Sequence, residues 1–245
     1  DRVGMTLAAD GVAVKDTSGD AATYGARVAQ VVAAGLPIVL ISKDAAVLEA
    51  GLKAAQGCNP LIHGADEDNW EAMAALAAKY KAPLVVCGNG DLGTLATVSE
   101  AVAGKGVENL VLDPGTRGWA DSLTSLTQLR RLALKKGMRS LGYPVISFPG
   151  EGAADPCEEG LLAAQHIAKY AGIIVMDTWD PATLYPLLTL RQNIYTDPQK
   201  PIQVSPGLYE VGQPKPDSPL LVTTNFSLTY FSVAGEVEGS GIPAW

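Results

Sequence analysis

One pattern constrains this chain more than any other. A short β-branched run follows a Gly, Pro or Asn and leads into an Ala- and Leu-rich stretch with helical spacing, and the cycle repeats. Strands are expected at 12–17, 37–42, 60–63, 83–87, 109–113, 144–148, 173–178 and 220–224. Several begin at a proline, which a strand tolerates at its first residue. The runs are apolar on both faces, as in Ile38-Val39-Leu40-Ile41 and Ile173-Ile174-Val175-Met176. Half-exposed hairpins alternate, whereas buried parallel strands look like this. The first four start about 25 residues apart, the length of one βα unit. Fewer units with Gly-rich first turns would make an open doubly wound sheet; eight close a barrel. The expected fold is therefore an α/β (βα)8 TIM barrel.

The stretches between strands have the matching character. One helix is expected over 119–136, with Leu123, Leu126, Leu129 and Ala133 on one stripe and Gly137 stopping it. Another is expected over 155–170, with Pro156 in its first turn. The regularity breaks once. In the stretch 201–212 two short β-prone runs flank Ser205-Pro206-Gly207, which reads as a β-hairpin inserted before strand eight. The Pro-rich stretch 213–219 then reads as a stiff linker. A last helix over 226–238 would be capped by Asn225 or Ser227. Residues 1–238 are thus expected to form the barrel domain. Residues 239–245, with Gly239, Gly241 and Pro243, would start a flexible linker to a further domain. The abrupt start at Asp1 and the apolar close at Trp245 read as cuts within a longer protein.

The net charge of −8 and pI of about 4.8 argue against nucleic acid and anionic membrane as partners. No apolar run approaches the roughly 18 residues of a membrane span, and no signal peptide is visible. The three cysteines, Cys58, Cys87 and Cys157, are widely spaced. They form neither a disulfide framework nor a zinc or iron–sulfur motif, which suits the cytoplasm. Cys87, within Pro-Leu-Val-Val-Cys-Gly, reads as a buried small hydrophobe.

Barrel enzymes place their chemistry where strands end. Here those positions hold Asp16, Thr17, Ser42, Lys43, His63, Asn89, Asp113, Glu151, Asp177 and Asn225. Asp16, His63, Asn89, Asp113, Asp177 and Asn225 are the candidates for ligand or cofactor contact, although strand ends and helix caps make any barrel polar there. Asp20, Asp91 and Asp180 read as helix caps. His63 could serve as base or ligand, but no second His or Cys accompanies it in sequence. His166 falls on a helix, in a surface or packing position. Asp16, Asp113 and Asp177 could converge as a carboxylate cluster, though their strands are spread around the barrel. Gly88-Asn89-Gly90-Asp91-Leu92-Gly93 spells Gly-x-Gly-x-x-Gly but reads better as a tight turn than a dinucleotide site. The turns after strands seven and eight lack the glycines of a phosphate site. No paired nucleophile and base stands out as catalytic, and no metal-ligand set is apparent.

Four stretches carry a family likeness. They are Asp10-Gly11-Val12-Ala13-Val14-Lys15-Asp16, Pro60-Leu61-Ile62-His63-Gly64-Ala65, Leu112-Asp113-Pro114-Gly115 and, above all, Leu221-Val222-Thr223-Thr224-Asn225-Phe226-Ser227-Leu228-Thr229-Tyr230-Phe231. Together they resemble the large (gamma) subunit of the corrinoid iron–sulfur protein of the acetyl-CoA decarbonylase/synthase pathway. The resemblance implies a barrel flanked by a [4Fe–4S] domain and a corrinoid (cobamide) domain. It implies a methyl carrier that takes a methyl group from a methylated pterin and delivers it to acetyl-CoA synthase. The implied partners are a small subunit that is also a barrel, a pterin methyltransferase and acetyl-CoA synthase. Neither cofactor would be ligated within this chain. Trp119, Trp179, Leu208 and Tyr209 are candidates for the subunit contact. Two other readings stand beside it. A pterin-dependent methyltransferase barrel would use Asp16, Asn89, Asp113 and Asn225. A lyase or aldolase would want a desolvated lysine, for which Lys15 and Lys43 are the nearest candidates.

Overall fold

The computed structural model describes residues 6–195 and 203–245, without the side chains of 194 and 195. The chain divides into two compact units, 1–194 and 195–245.

The first unit alternates strand and helix as the pattern demands. The order is β1 (Val12–Lys15), α1 (Ala21–Val32), β2 (Ile38–Ile41), α2 (Ala45–Ala54), β3 (Leu61–Ala65), α3 (Trp70–Tyr80), β4 (Leu84–Cys87), α4 (Leu92–Gly104), β5 (Leu110–Asp113), α5 (Trp119–Lys135), β6 (Ile146–Ser147), α6 (Pro156–Ala168), β7 (Ile173–Ile174) and α7 (Pro181–Tyr195). β1 to β5 form one parallel sheet in chain order, and β6 pairs with β7 in parallel. A parallel bridge from Leu112 to Val145 links the two sets. Asp20, Asp91 and Asp155 cap α1, α4 and α6 through the backbone N–H of Thr23, Thr94 and Glu158. Asp180 accepts from Thr183 N–H in the first turn of α7.

Being apolar on both faces, the strands divide their side chains between two cores. Leu40, Ile62, Leu84, Val86 and Leu112 face the helices and pack with Met73, Leu95 and Leu126. Leu61, Val85, Val111, Ile146 and Phe148 make a second cluster on the opposite face of the strands, with Val39, Ile41, Ile173 and Val175 against it. That second cluster is the layered side-chain filling of a barrel. Tyr24 of α1 is clamped onto the sheet edge: its hydroxyl donates to Val14 O (2.8 Å) and accepts from Ile41 N–H (3.1 Å).

The second unit is built differently. α8 (Ser227–Ser240) lies beside irregular chain held by isolated antiparallel bridges, Gln203 to Phe226 and Val211 to Ala244. The expected hairpin is therefore not made by its described residues: the two runs around Ser205-Pro206-Gly207 each bond to a different later segment. Residues 201–202 lie outside the described set. The eighth expected run, 220–224, carries no strand ladder. Leu221 N–H donates to Trp245 O and Trp245 N–H to Pro219 O. α8 begins after Phe226 with no side-chain cap, so neither Asn225 nor Ser227 caps it. It continues through Ser240 and stops at Gly241, whose φ of +68° suits glycine.

Candidate functional site

The upper layer of the second core is polar. Along β3, β4 and β5 the inward positions are Leu61 then His63, Val85 then Cys87, Val111 then Asp113. The β3–β4 ladder shifts register just past His63, between His63 and Ala65. The shift falls at Gly64, whose φ is +133° and where a Cβ would stand 2.2 Å from Ser42 O. Gly115 (φ +80°) is likewise required, since a Cβ would meet the Asn89 backbone at 2.7 Å. Two stretches of the family likeness, around His63-Gly64 and Asp113-Pro114-Gly115, are thus the residues that shape this layer.

His63 Nε2 lies 3.0 Å from Asp113 Oδ2 and 3.6 Å from Cys87 Sγ. The Phe148 ring meets the imidazole edge-on at 4.8 Å. Arg117 grips Asp113 with both terminal nitrogens, at 2.9 and 2.8 Å, while its Nε donates to Glu151 Oε2 at 2.7 Å. Lys15 completes the chain by donating to Glu151 Oε1 at 2.9 Å. Asp113 Oδ1 also accepts from Gly115 N–H. Burial alone would raise the Asp113 carboxyl, but the bonds from His63 and Arg117 overrule it and hold it well below the usual carboxylate range. For Arg117, burial is outweighed in the same way by Asp113 and Glu151, which hold its charge in place. Burial, followed by the Asp113 charge, pushes the Cys87 thiol far up.

The structure thus joins His63 and Asp113 and adds Cys87, Arg117, Glu151 and Lys15 to them. Cys87 is buried as expected, but it is not only filler: it stands beside His63, which does have a cysteine companion. Three potential ligand atoms, one each from His63, Cys87 and Asp113, all lie within 4.8 Å of one another, so a metal-ligand set absent from the linear spacing exists in space. Arg117 was not singled out in the sequence. It sits in a loop without periodicity, four residues past Asp113, and only the arginine-to-carboxylate spacing hinted at it.

The other candidates stand apart. Asp16 accepts from Gly19 and Ser18 N–H and from Ser42 Oγ, an arrangement that lowers its carboxyl, the Gly19 bond most of all. Lys43 pairs with Asp66. Asn89 holds a left-handed turn (φ +48°) in the loop after β4. There the Gly-x-Gly-x-x-Gly spelling is a tight turn into α4: a Cβ on Gly88 would be 2.9 Å from Asp91 O. Asp177 takes its place through its backbone, whose N–H donates to the buried Glu159 at 2.6 Å. Asp16, Asp113 and Asp177 each bond different partners and do not converge. Asn225 belongs to the second unit, where its carbonyl accepts from Val204 N–H.

His166 of α6 is 2% exposed, and neither ring nitrogen has a hydrogen-bond partner among the described residues. Burial, reinforced by the Arg117 charge, lowers it to about 4. It borders a void of about 10 Å³ shared with Asp113, Arg117 and Ser147, room for about one water. The second unit holds a separate apolar groove of about 340 Å³, lined by Leu208, Tyr209, Leu221, Tyr230, Val237 and Trp245 among others.

The fold defines the class: a parallel α/β protein of the barrel type. It matches dihydropteroate synthase from Thermus thermophilus with a TM-score of 0.56 at 21% identity, over 76% of this chain and 84% of that one. It matches the Xanthomonas albilineans dihydropteroate synthase with 0.54 at 17%, over 77% and 81%. At such identities the likeness concerns fold alone.

Sequence defines the family. The model of the CO dehydrogenase/acetyl-CoA synthase delta subunit family matches residues 1–245, and the chain belongs to that family. The Moorella thermoacetica corrinoid/iron-sulfur protein large subunit is 44% identical over 246 residues, covering 100% of this chain and 54% of that protein. The acetyl-CoA decarbonylase/synthase complex subunit gamma of Methanosarcina acetivorans is 38% identical over 255 residues, covering 99% and 54%. The chain spans about half the length of the curated relatives it matches.

Those relatives' names bring a corrinoid and an iron–sulfur cluster into question, and the described residues fit neither. A [4Fe–4S] cluster wants four thiolates; this chain has three cysteines, of which Cys58 and Cys157 are exposed and Cys87 is buried. The 340 Å³ groove and the 10 Å³ void are too small to enclose a corrinoid macrocycle.

Proposed function

We propose that this chain is the barrel portion of a cytoplasmic corrinoid iron–sulfur methyl carrier. Such a carrier accepts a methyl group from a methylated pterin and passes it to acetyl-CoA synthase. In this reading the barrel is scaffold and pairing surface, and the corrinoid and cluster are held by other parts of the protein. The observation that carries the scaffold role is the self-satisfied mouth. Lys15, Glu151, Arg117, Asp113 and His63 bond one another in a chain, and the void beside them has room for about one water. A pterin-dependent methyltransferase would need a free carboxylate and amide facing a pocket of a few hundred Å³. Here both oxygens of Asp113 are engaged, and Asp16 is spent on its own turn.

The test is methyl transfer from a methylated pterin to free cobalamin with this chain alone. The expected rate is the uncatalysed background; a rate clearly above it, abolished by Asp113→Asn, would replace the scaffold reading with the methyltransferase one. The pairing role rests on exposed aromatic and aliphatic side chains, Trp179 (74% exposed) and Leu208 (66%) foremost, with Trp119 and Tyr209 less so. Co-expression with a small-subunit barrel should give a heterodimer on gel filtration. No helix among the described residues is long and apolar enough to cross a membrane.

A further inference from the structure

The polar layer has a geometry that a proton relay does not account for. In a relay of thiol, imidazole and carboxylate, the thiol and the carboxylate engage opposite ring nitrogens, so that a proton can pass through the ring. Here both engage the same atom: Nε2 of His63 lies 3.0 Å from Asp113 Oδ2 and 3.6 Å from Cys87 Sγ. One nitrogen cannot give its single proton to both. The three donor atoms converge on one point instead.

That point has the dimensions of a coordination site. With zinc-to-sulfur bonds of about 2.3 Å, and bonds to nitrogen and oxygen of about 2.0–2.1 Å, a tetrahedral ion sets its nitrogen and sulfur ligands about 3.6 Å apart and its nitrogen and oxygen ligands about 3.3 Å apart. The two His63 distances lie within a few tenths of an ångström of these, and the Cys87-to-Asp113 pair lies within 4.8 Å, so binding draws the thiol and carboxylate together. The ligand set of one imidazole, one thiolate and one carboxylate suits a zinc-class ion rather than calcium or magnesium. The ligands come from the ends of three adjacent strands, on rigid backbone, and the His63 and Arg117 side chains are 13% and 25% exposed, so the site is reachable from the barrel mouth.

We propose that His63 Nε2, Cys87 Sγ and Asp113 Oδ2 form a binding site for a zinc-class divalent ion, and that Arg117 is its internal competitor. Without an ion, the guanidinium supplies the positive charge that Asp113 needs. With an ion, Arg117 gives up its bond to Oδ2 and keeps those to Oδ1 and Glu151, becoming the group that orients the ligating carboxylate. Charge and protons balance. The Cys87 thiol loses one proton to solvent, and the imidazole proton moves to Nδ1. The ion, thiolate and carboxylate then sum to zero. The fourth coordination position falls to water. This site is independent of the methyl-carrier reading.

The experiment uses the intact protein, stripped with chelator and reloaded with zinc sulfate. Elemental analysis should return one equivalent of zinc beyond any held by sites that survive Cys87→Ser. X-ray absorption at the zinc edge of the reloaded, unaltered protein should show one sulfur with two or three nitrogen or oxygen neighbours. Cys87→Ser and His63→Gln should each weaken zinc binding at least tenfold with circular dichroism unchanged, whereas Cys58→Ser and Cys157→Ser should not. Arg117→Gln should tighten it, because the competitor is gone. The proposal fails if zinc does not bind, if its shell holds nitrogen and oxygen alone or four sulfurs, or if Cys87→Ser and His63→Gln bind as the unaltered protein does. The absorption measurement on the unaltered protein does not depend on any variant folding.

Discussion

The two units spend their apolar residues in opposite ways. In the first unit, the strand residues facing the helices are sealed: Leu40, Ile62, Leu84 and Leu112 have no exposed surface. In the second, Val222 is 90% exposed, Leu228 83% and Phe231 65%, and α8 has no buried residue at all. The difference follows from backbone bonding. Parallel ladders pair the backbone of β1 to β5 in sequence, so both strand faces are free to be apolar and each finds a core. The described residues of the second unit have isolated bridges and one helix, whose groove-facing stripe of Tyr230, Val233, Ala234 and Val237 is half-buried while Leu228 and Phe231 are exposed. Stability should therefore be concentrated in the first unit.

The largest effects should come where backbone and core are both locked. Gly64→Ala adds a Cβ that would meet Ser42 O at 2.2 Å, in a conformation that disfavours any side chain. It should cost about 3 kcal/mol or more in urea unfolding of the first unit. Leu84→Ala should cost about 3 kcal/mol by leaving a cavity between sheet and helices. Values below about 1 kcal/mol for both would mean that the sheet is looser than its registers imply.

Within the first unit, the mouth offers a second contrast. Asp113 is 1% exposed and carries the charge opposite Arg117; Asp16 serves its own turn at a more open position. Asp113→Asn removes the carboxylate from a mostly buried guanidinium and should cost about 3 kcal/mol, softened by the bond that Arg117 keeps to Glu151. Asp16→Asn, which loses one charged acceptor near solvent, should cost about 1 kcal/mol. Equal losses would show that the Lys15-to-His63 chain is surface decoration and not the closure of the mouth.

How much of this was legible beforehand depended on whether period or register carried the information. The seven strands of the first unit could be read because β-branched runs, proline starts and helical stripes are local. The capping aspartates Asp20, Asp91 and Asp180 were equally local. His63 and Asp113 were legible as strand-end residues. Their meeting with Cys87 was not, because it depends on which residue faces which across two ladders. Parity was the missed signal: His63, Cys87 and Asp113 are each the last inward residue of three consecutive strands. At 220–224 the opposite error arose. Leu-Leu-Val-Thr-Thr has strand propensity, but propensity names no partner, and this run bonds to residue 245 instead of joining a ladder. The hairpin expectation failed for the same reason, since Val204 and Val211 found partners at Asn225 and Ala244.

Acid should separate the units as mutation does. His166 is held neutral, with its folded value near 4 against an ordinary 6.5, because burial and Arg117 disfavour the charged ring. The unfolded chain therefore takes up the proton first. Above pH 6.5 there is no penalty. As the pH falls from 6.5 towards 4 the first unit loses stability, by on the order of 3 kcal/mol in all, and below 4 this loss stops growing. Asp113, Arg117 and Ser147 border the same void, and none accepts the His166 proton. His166→Phe should flatten that part of the pH profile. An unchanged profile would assign the acid sensitivity to the carboxylates, which titrate lower.

The smallest predicted effect probes the comparison most directly. Leu228 stands 83% exposed at the start of α8, one turn from Phe231 on the same uncovered face. A leucine in water contributes nothing by burial, so Leu228→Ala should change unfolding free energy by less than about 0.5 kcal/mol in this chain. Alanine also has the better helix propensity, so the sign can even be favourable. The same substitution in the full-length protein is the sharper half of the test. An equally small effect there would mean that the apolar face of α8 stays in water, and the contrast between the units would hold as drawn. A loss of 2 kcal/mol or more would mean that other protein covers Leu228, and that the second unit is incomplete in its packing where the first is not. Phe231→Ala should move in parallel, since one cover would reach both side chains.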